Sequence, residues 1–132
     1  MSTDSSTNTH TSDPLDPDMF TACRSAALPM RMNIKWATKI MSCLRGGPRR
    51  FTELLVPLQG ITAKVLTESL RAMERDGIVS RTAYPGVPQR VEYDLTELGR
   101  SLLGPIDAWC VWAEEHLDDL LDAREAHELR RT

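Results

Sequence analysis

Residues 51–98 read FTELLVPLQGITAKVLTESLRAMERDGIVSRTAYPGVPQRVEYDLTEL, and the order of elements in this stretch decides the fold. Thr52 is placed to N-cap a short helix whose Leu54, Leu55 and Leu58 face a core, with Pro57 near its end. Gln59-Gly60 makes a turn. Thr62 can N-cap a second helix that buries Val65, Leu66, Leu70 and Met73 at helical spacing and leaves Ala63, Lys64, Thr67, Glu68 and Arg71 outward. Asp76-Gly77 closes that helix. Ile78, Val79, Arg81 and Ala83 then lead to the tip Tyr84-Pro-Gly-Val-Pro-Gln-Arg90, and Val91, Tyr93 and Leu95 return with period-two alternation. Helix, turn, helix and long-tipped hairpin is the order of a winged helix-turn-helix.

Outward from this stretch the chain falls into flanking helices and tails. Residues 1–17 are rich in Ser, Thr, Asp and Pro with almost nothing apolar, so they cannot offset the entropy of ordering and are expected to be a disordered acidic tail. A helix can start at Asp18 with Phe20, Cys23, Ala27 and Leu28 at helical spacing, and Pro29 ends or kinks it. From Met30 to Leu44, Trp36, Ile40, Cys43 and Leu44 form one stripe while Lys35, Lys39 and Ser42 point elsewhere, the pattern of a core-facing helix. Gly46-Gly47-Pro48 stops it, and Arg49 and Arg50 follow just before the first helix of the motif. Thr96 caps a long final helix with an apolar stripe running from Leu98 through Ile106, Trp109 and Leu117 to Leu121, which Gly104-Pro105 is expected to bend or break. The domain is therefore placed at 18–122, with 123–132 a tail or helix end. The fold class is mostly α with a small β-hairpin wing.

Composition narrows the function. The 132 residues carry a net charge of −3, which argues against a polyanionic partner until its distribution is read. Residues 1–23 hold four acids and no Lys or Arg; residues 24–100 hold thirteen Lys and Arg against seven Asp and Glu; residues 101–132 hold three against eight. A basic middle between acidic ends suits a domain that meets phosphate with one face. No apolar run approaches the roughly 18–20 residues that a bilayer span needs, and no secretory leader is evident, so a cytoplasmic location without membrane contact is expected. The three cysteines, Cys23, Cys43 and Cys110, are widely spaced and form neither a disulfide framework nor a zinc ribbon. No glycine-rich phosphate loop, nucleophile elbow or HExxH motif is present, so no enzyme and no cofactor is expected.

The second helix of such a motif offers its N-terminal part to base edges in the major groove. Lys64 and Arg71 can meet guanine or phosphate, Thr67 either, and Glu68 can accept from cytosine. Arg81 and Arg90 flank the wing tip, with Gln89 beside them, where cations reach backbone or minor groove. With Arg49, Arg50 and Thr62 these are the candidate DNA-binding residues.

The carrying motifs are Lys35-Trp36, Gly47-Pro48-Arg49-Arg50-Phe51-Thr52-Glu53-Leu54, Gly60-Ile61-Thr62, Leu66-Thr67-Glu68-Ser69-Leu70-Arg71, Asp76-Gly77-Ile78-Val79-Ser80-Arg81 and, most specifically, Tyr84 through Gly99. On these residues the chain, from Cys23 to about Trp112, resembles the HxlR-type (MarR-like) winged-helix transcriptional regulators. The resemblance implies a homodimer, built from the N- and C-terminal helices, that binds an inverted-repeat operator in double-stranded DNA with one recognition helix per half-site, usually as a repressor. It also implies that a cysteine at the position of Cys23 senses oxidants, quinones or aldehydes and releases the DNA. Arg24, Pro29 and Asn33-Ile34 depart from the family pattern around that cysteine, so a buried interface thiol stands as the other reading of Cys23. Cys43 and Cys110, on apolar stripes, read as inert core. Three rivals remain: a metal sensor using Cys110, His116 and Asp119; a small-molecule sensor with a pocket beneath Met30, Met32, Met41 and Trp36; and a winged helix that binds protein instead of DNA.

Overall fold

A computed structural model describes residues 13–24, 28 and 33–131. The chain divides into two units, Met1–Met30 and Arg31–Thr132. In the first, residues 17–22 are successive turns, with the N–H groups of Met19, Thr21 and Cys23 donating to the carbonyls of Asp16, Asp18 and Phe20. The helix expected from Asp18 is therefore not formed up to Cys23. Asp16 explains part of this, because its carboxylate accepts from the Asp18 N–H at 2.9 Å and holds the backbone in a local turn that competes with helix. Ala27, Met30, Met32 and the tail residues 1–12 lie outside the described residues.

The second unit runs α1 (Ile34–Leu44), β1 (Arg49–Arg50), α2 (Phe51–Leu55), α3 (Ala63–Arg75), β2 (Val79–Tyr84), β3 (Arg90–Leu95) and α4 (Glu97–Arg131). This is the expected winged helix-turn-helix, helix-rich with a small antiparallel sheet. Asn33 caps α1 by accepting from the Lys35 N–H at 3.1 Å, and Trp36, Ala37, Ile40, Met41 and Leu44 bury one face of the helix. Leu54 and Leu58 from the first half of the motif, and Leu66, Leu70 and Met73 from α3, complete the helical part of the core. Val65, expected among them, is only half-buried.

Two local features differ from the sequence reading. The cap of α2 lies two residues earlier than Thr52: the Glu53 carboxylate reaches back to the Arg50 N–H at 2.8 Å. The cause is β1, which pairs antiparallel with β3 and runs straight into the helix. The wing is consequently three-stranded in the order β1-β3-β2, with Arg49 opposite Tyr93 and Arg81 opposite the same residue on the other side. The second difference is at Pro105, where α4 is not broken and continues for 35 residues, about 52 Å at 1.5 Å per residue. Gly104 and Pro105 are both exposed, as is Ser101, so the carbonyl that loses its partner can be hydrated.

The junction between sheet and α4 is the tightest point in the unit. Gly77, at φ 78°, takes the left-handed conformation that ends α3. The Thr96 hydroxyl donates to the Gly77 and Ile78 carbonyls and accepts from the Gly99 N–H at 3.0 Å. A methyl group at Gly99 would overlap the Ile78 carbonyl oxygen and lie 3.1 Å from its carbon. Substituting Gly99→Ala should destabilise the protein by about 1–3 kcal/mol, the usual range for overpacking, and lower the thermal midpoint. A melting curve that superimposes on wild type would show that α4 does not press on β2 in this way.

Candidate nucleic-acid interface

Thr62, whose side chain accepts from the Val65 N–H at 3.1 Å, starts α3, and Gly60, at φ 87°, makes the turn before it. The Thr62 hydroxyl is thus engaged in holding the helix end. Leu66, Leu70 and Met73 fix the rotation of α3, which leaves Lys64, Glu68 and Arg71 exposed and Thr67 half-buried. The two flanks of that outward face have different surroundings. Glu68 faces a hollow shared with Asn33 and Ala37 of the α1 region. Thr67 and Arg71 turn the other way, toward the wing.

The wing's register explains what they meet there. Side chains alternate between the faces of a strand, so Val79, Arg81, Tyr93 and Leu95 share one face of the hairpin. Val79 and Leu95 are buried at its base, which makes this the face turned toward the helices. A cleft of about 350 Å³ results, lined by Thr67, Arg71 and Glu74 from α3 and by Arg81 and Tyr93 from the sheet. Neither Arg71 nor Arg81 forms an ion pair among the described residues. Two guanidiniums and two hydroxyls around one cleft make a site for an anionic oxygen, with Glu74 limiting how many negative charges can enter. Tyr93 and Glu74 were not among the sequence-predicted residues, although the alternation of β3 places Tyr93 beside Arg81.

Arg90 is elsewhere. It pairs with Tyr84 across the hairpin, on the opposite face from Arg81, with its guanidinium 4.6 Å from the Tyr84 ring centroid and its Nε 3.7 Å from Glu92. The sequence picture of Arg81 and Arg90 flanking one tip therefore gives way to two cation positions: Arg81 lies three rungs from the tip, facing α3, and Arg90 lies at the tip, facing outward. A second hollow, of about 320 Å³, gathers Arg50, Phe51 and Thr52 at the start of α2 with Gln89 and Arg90. Arg49, paired with Tyr93 and so on the opposite face of the sheet from Arg50, lies 3.7 Å from Glu53. Ion pairs this exposed are held weakly and exchange readily for a phosphate partner.

The three cysteines differ in exposure. Cys23 is exposed within the N-terminal turns, and Cys43 on α1 is half-buried. Burial pushes the Cys43 thiol pKa up, and the nearby Arg49 charge opposes that shift. Cys110 is exposed, which corrects its assignment to the core. The apolar stripe of α4 shows why: Leu102 and Leu103 are half-buried and Ile106 is buried, but Trp109 and Trp112 remain 54% and 46% exposed and Leu117 and Leu121 are exposed as well. His116 stacks on Trp112 with ring centroids 4.6 Å apart, and its Nδ1 lies 2.9 Å from the Trp112 carbonyl oxygen. No cluster of three or more His, Cys, Asp or Glu suited to a metal occurs among the described residues, so Cys110, His116 and Asp119 do not converge as the metal-sensor reading requires. Nor is any described helix long and apolar enough to cross a membrane.

Comparison with known proteins places this geometry. The family model for the HxlR-like helix-turn-helix matches residues 32–120. The chain is 37% identical to the uncharacterized HTH-type transcriptional regulator YtfH of Escherichia coli (strain K12), over 78% of this chain and 82% of that protein. Among solved structures it is similar to the redox regulator HypR in its reduced form, with TM-score 0.62 and 38% identity over 66% of this chain and 86% of that one. It is likewise similar to diamide-treated YodB from B. subtilis, with TM-score 0.56 and 33% identity over 76% and 94% of the two chains.

The cap that presents α3 can be tested alone. Thr62→Ala should cost about 1 kcal/mol in urea denaturation and Thr62→Ser much less, since serine supplies the same acceptor. Equal midpoints for Thr62→Ala and wild type would mean that the hydroxyl does not hold the helix end.

Proposed function

The chain belongs to the HxlR-like helix-turn-helix family of transcriptional regulators, and from that premise we propose that it is a cytoplasmic, sequence-specific repressor that binds an inverted-repeat operator as a homodimer. Its role is regulatory and not catalytic. The observation that carries the reading is the pair of unpaired guanidiniums, Arg71 and Arg81, converging beside the outward face of α3. In the proposed complex α3 enters the major groove with Lys64, Thr67 and Glu68 toward base edges, and one backbone phosphate occupies the cleft. Arg50, Gln89 and Arg90 take phosphates on the other flank, with the wing toward the minor groove, and Arg49 is a further phosphate contact.

The homodimer is supported by α4. A helix of 35 residues exposing Trp109, Trp112, Leu117, Leu120 and Leu121 presents more apolar surface than a single domain covers, and pairing two chains through it would supply the two recognition helices that half-sites about 34 Å apart, one turn of DNA, require. Release of DNA by modification of Cys23 is supported by the exposure of that thiol and by the likeness to HypR, a redox regulator, and to YodB, which has been solved in both a reduced and a diamide-treated form.

Two outcomes are expected in gel-shift titrations against the DNA flanking the reading frame. The double substitution Arg71→Ala/Arg81→Ala should lower the slope of log K against log salt by about 1.8, one phosphate contact in each of the two chains on the duplex. Binding without steep salt dependence would instead identify a winged helix that contacts protein. Diamide should release the wild type and leave Cys23→Ser bound. If the oxidised wild type holds the operator as tightly as the reduced form, Cys23 is not the sensor and a small-molecule effector takes its place.

A further inference from the structure

Cys43 and Cys110 are 67 positions apart in the chain yet line one hollow of about 460 Å³, between α1, the turn at Pro57-Leu58 and α4. What brings them together is the seam between the two helices. The Arg45 guanidinium donates to the Asp107 carboxylate at 2.6 and 3.3 Å, and Arg100 donates to the Arg45 carbonyl at 3.3 Å. Cys110 follows Asp107 by three residues and so continues along the same side of α4, one turn further on. Ser42 and Thr38 continue α1 in the same hollow.

We propose that this hollow is a two-thiol binding site for a soft monovalent cation of the copper(I) class, held between the sulfurs of Cys43 and Cys110. The donor set makes the choice. The hollow contains no carboxylate and no imidazole, so it offers nothing to calcium or magnesium, which take six or more oxygens or keep a hydration shell. Zinc sites are closed by four donors, and no group of three or more candidate donors exists among the described residues. Two sulfurs in a largely apolar setting suit an ion that is content with two soft ligands. The hollow's one charged side chain, Lys39, lays its ammonium over the Trp36 ring, 5.1 Å from the centroid.

Binding involves no change of oxidation state. Each thiol loses its proton to solvent as a metal–sulfur bond forms. The ion would tie α4 to α1 directly beside Leu58, the buried residue that leads into the turn before α3. The site is independent of the operator-binding reading, and its test does not involve DNA.

The experiment is an anaerobic titration of the reduced full chain with copper(I), competed by a chromogenic chelator, with maleimide footprinting of the three cysteines by mass spectrometry. One ion per chain is expected, with Cys43 and Cys110 protected and Cys23 still labelled. Cys43→Ser and Cys110→Ser should each weaken binding by at least about 100-fold, the upper end of what changes outside the ligand shell produce, while Cys23→Ser leaves it unchanged. Cys43→Ala, compared by thermal melting without the ion, separates loss of a ligand from loss of fold. Retention of the ion by either single variant, its loss in Cys23→Ser, one ion shared by two chains, or no binding against the chelator would each overturn the proposal.

Discussion

One hydroxyl, that of Thr96, links three parts of the winged domain. It donates to the carbonyls that end α3 and begin β2, and it accepts from the third residue of α4. Everything that points outward depends on this contact. The rotation of α3 about its axis is set by Leu66, Leu70 and Met73, but the distance from α3 to the wing is set by the short link through Gly77 and Ile78. Thr96 holds that link against α4, and Gly99 lets the helix come close enough to do so. A domain with few buried layers relies on such close backbone approaches, because single side chains cannot fill the gap without displacing the sheet.

The cations of the middle segment fall into distinct states, and the difference bears on function more than their number does. Arg45 and Arg100 are structural, spanning α1, β3 and α4 through Asp107, Asp94 and a backbone carbonyl. Arg49 leans on the exposed Glu53 carboxylate and Arg90 on the half-buried Glu92, both at 3.7 Å and so held loosely. Arg71 and Arg81 are left without a carboxylate although Glu74 shares their cleft. Net charge conceals this arrangement, since the acids that cancel it reside largely at the two ends of the chain.

Much of the fold was legible in the sequence because its signals are local and repeated. The stripe of Leu66, Leu70 and Met73, the cap at Thr62 and the alternation of Val91, Tyr93 and Leu95 each state their element over several residues. The features that escaped are those defined by a partner far away in the chain. A two-residue strand at Arg49-Arg50 has no period to detect and exists only through β3. The cap of α2 followed it by necessity. Pro105 breaks helices in general, yet here its neighbours are open to solvent and the helix tolerates it. In the candidate interface, Lys64, Thr67, Glu68 and Arg71 were readable from helical geometry. The separation of Arg81 from Arg90, the part taken by Tyr93 and the meeting of Cys43 with Cys110 required the register of the sheet and the seam between α1 and α4.

The pairing of β1 with β3 has a mechanical consequence. Because β1 passes directly into α2, the base of the wing and the start of the helix-turn-helix are joined by backbone hydrogen bonds and not by a flexible loop. Helix and wing are then the two jaws of a fixed-gap gauge. A duplex whose groove width departs from that gap must be bent or twisted before both jaws close on it, and the work of doing so depends on the stacking of base pairs that no side chain touches. In the proposed complex, DNA stiffness would thereby enter the affinity.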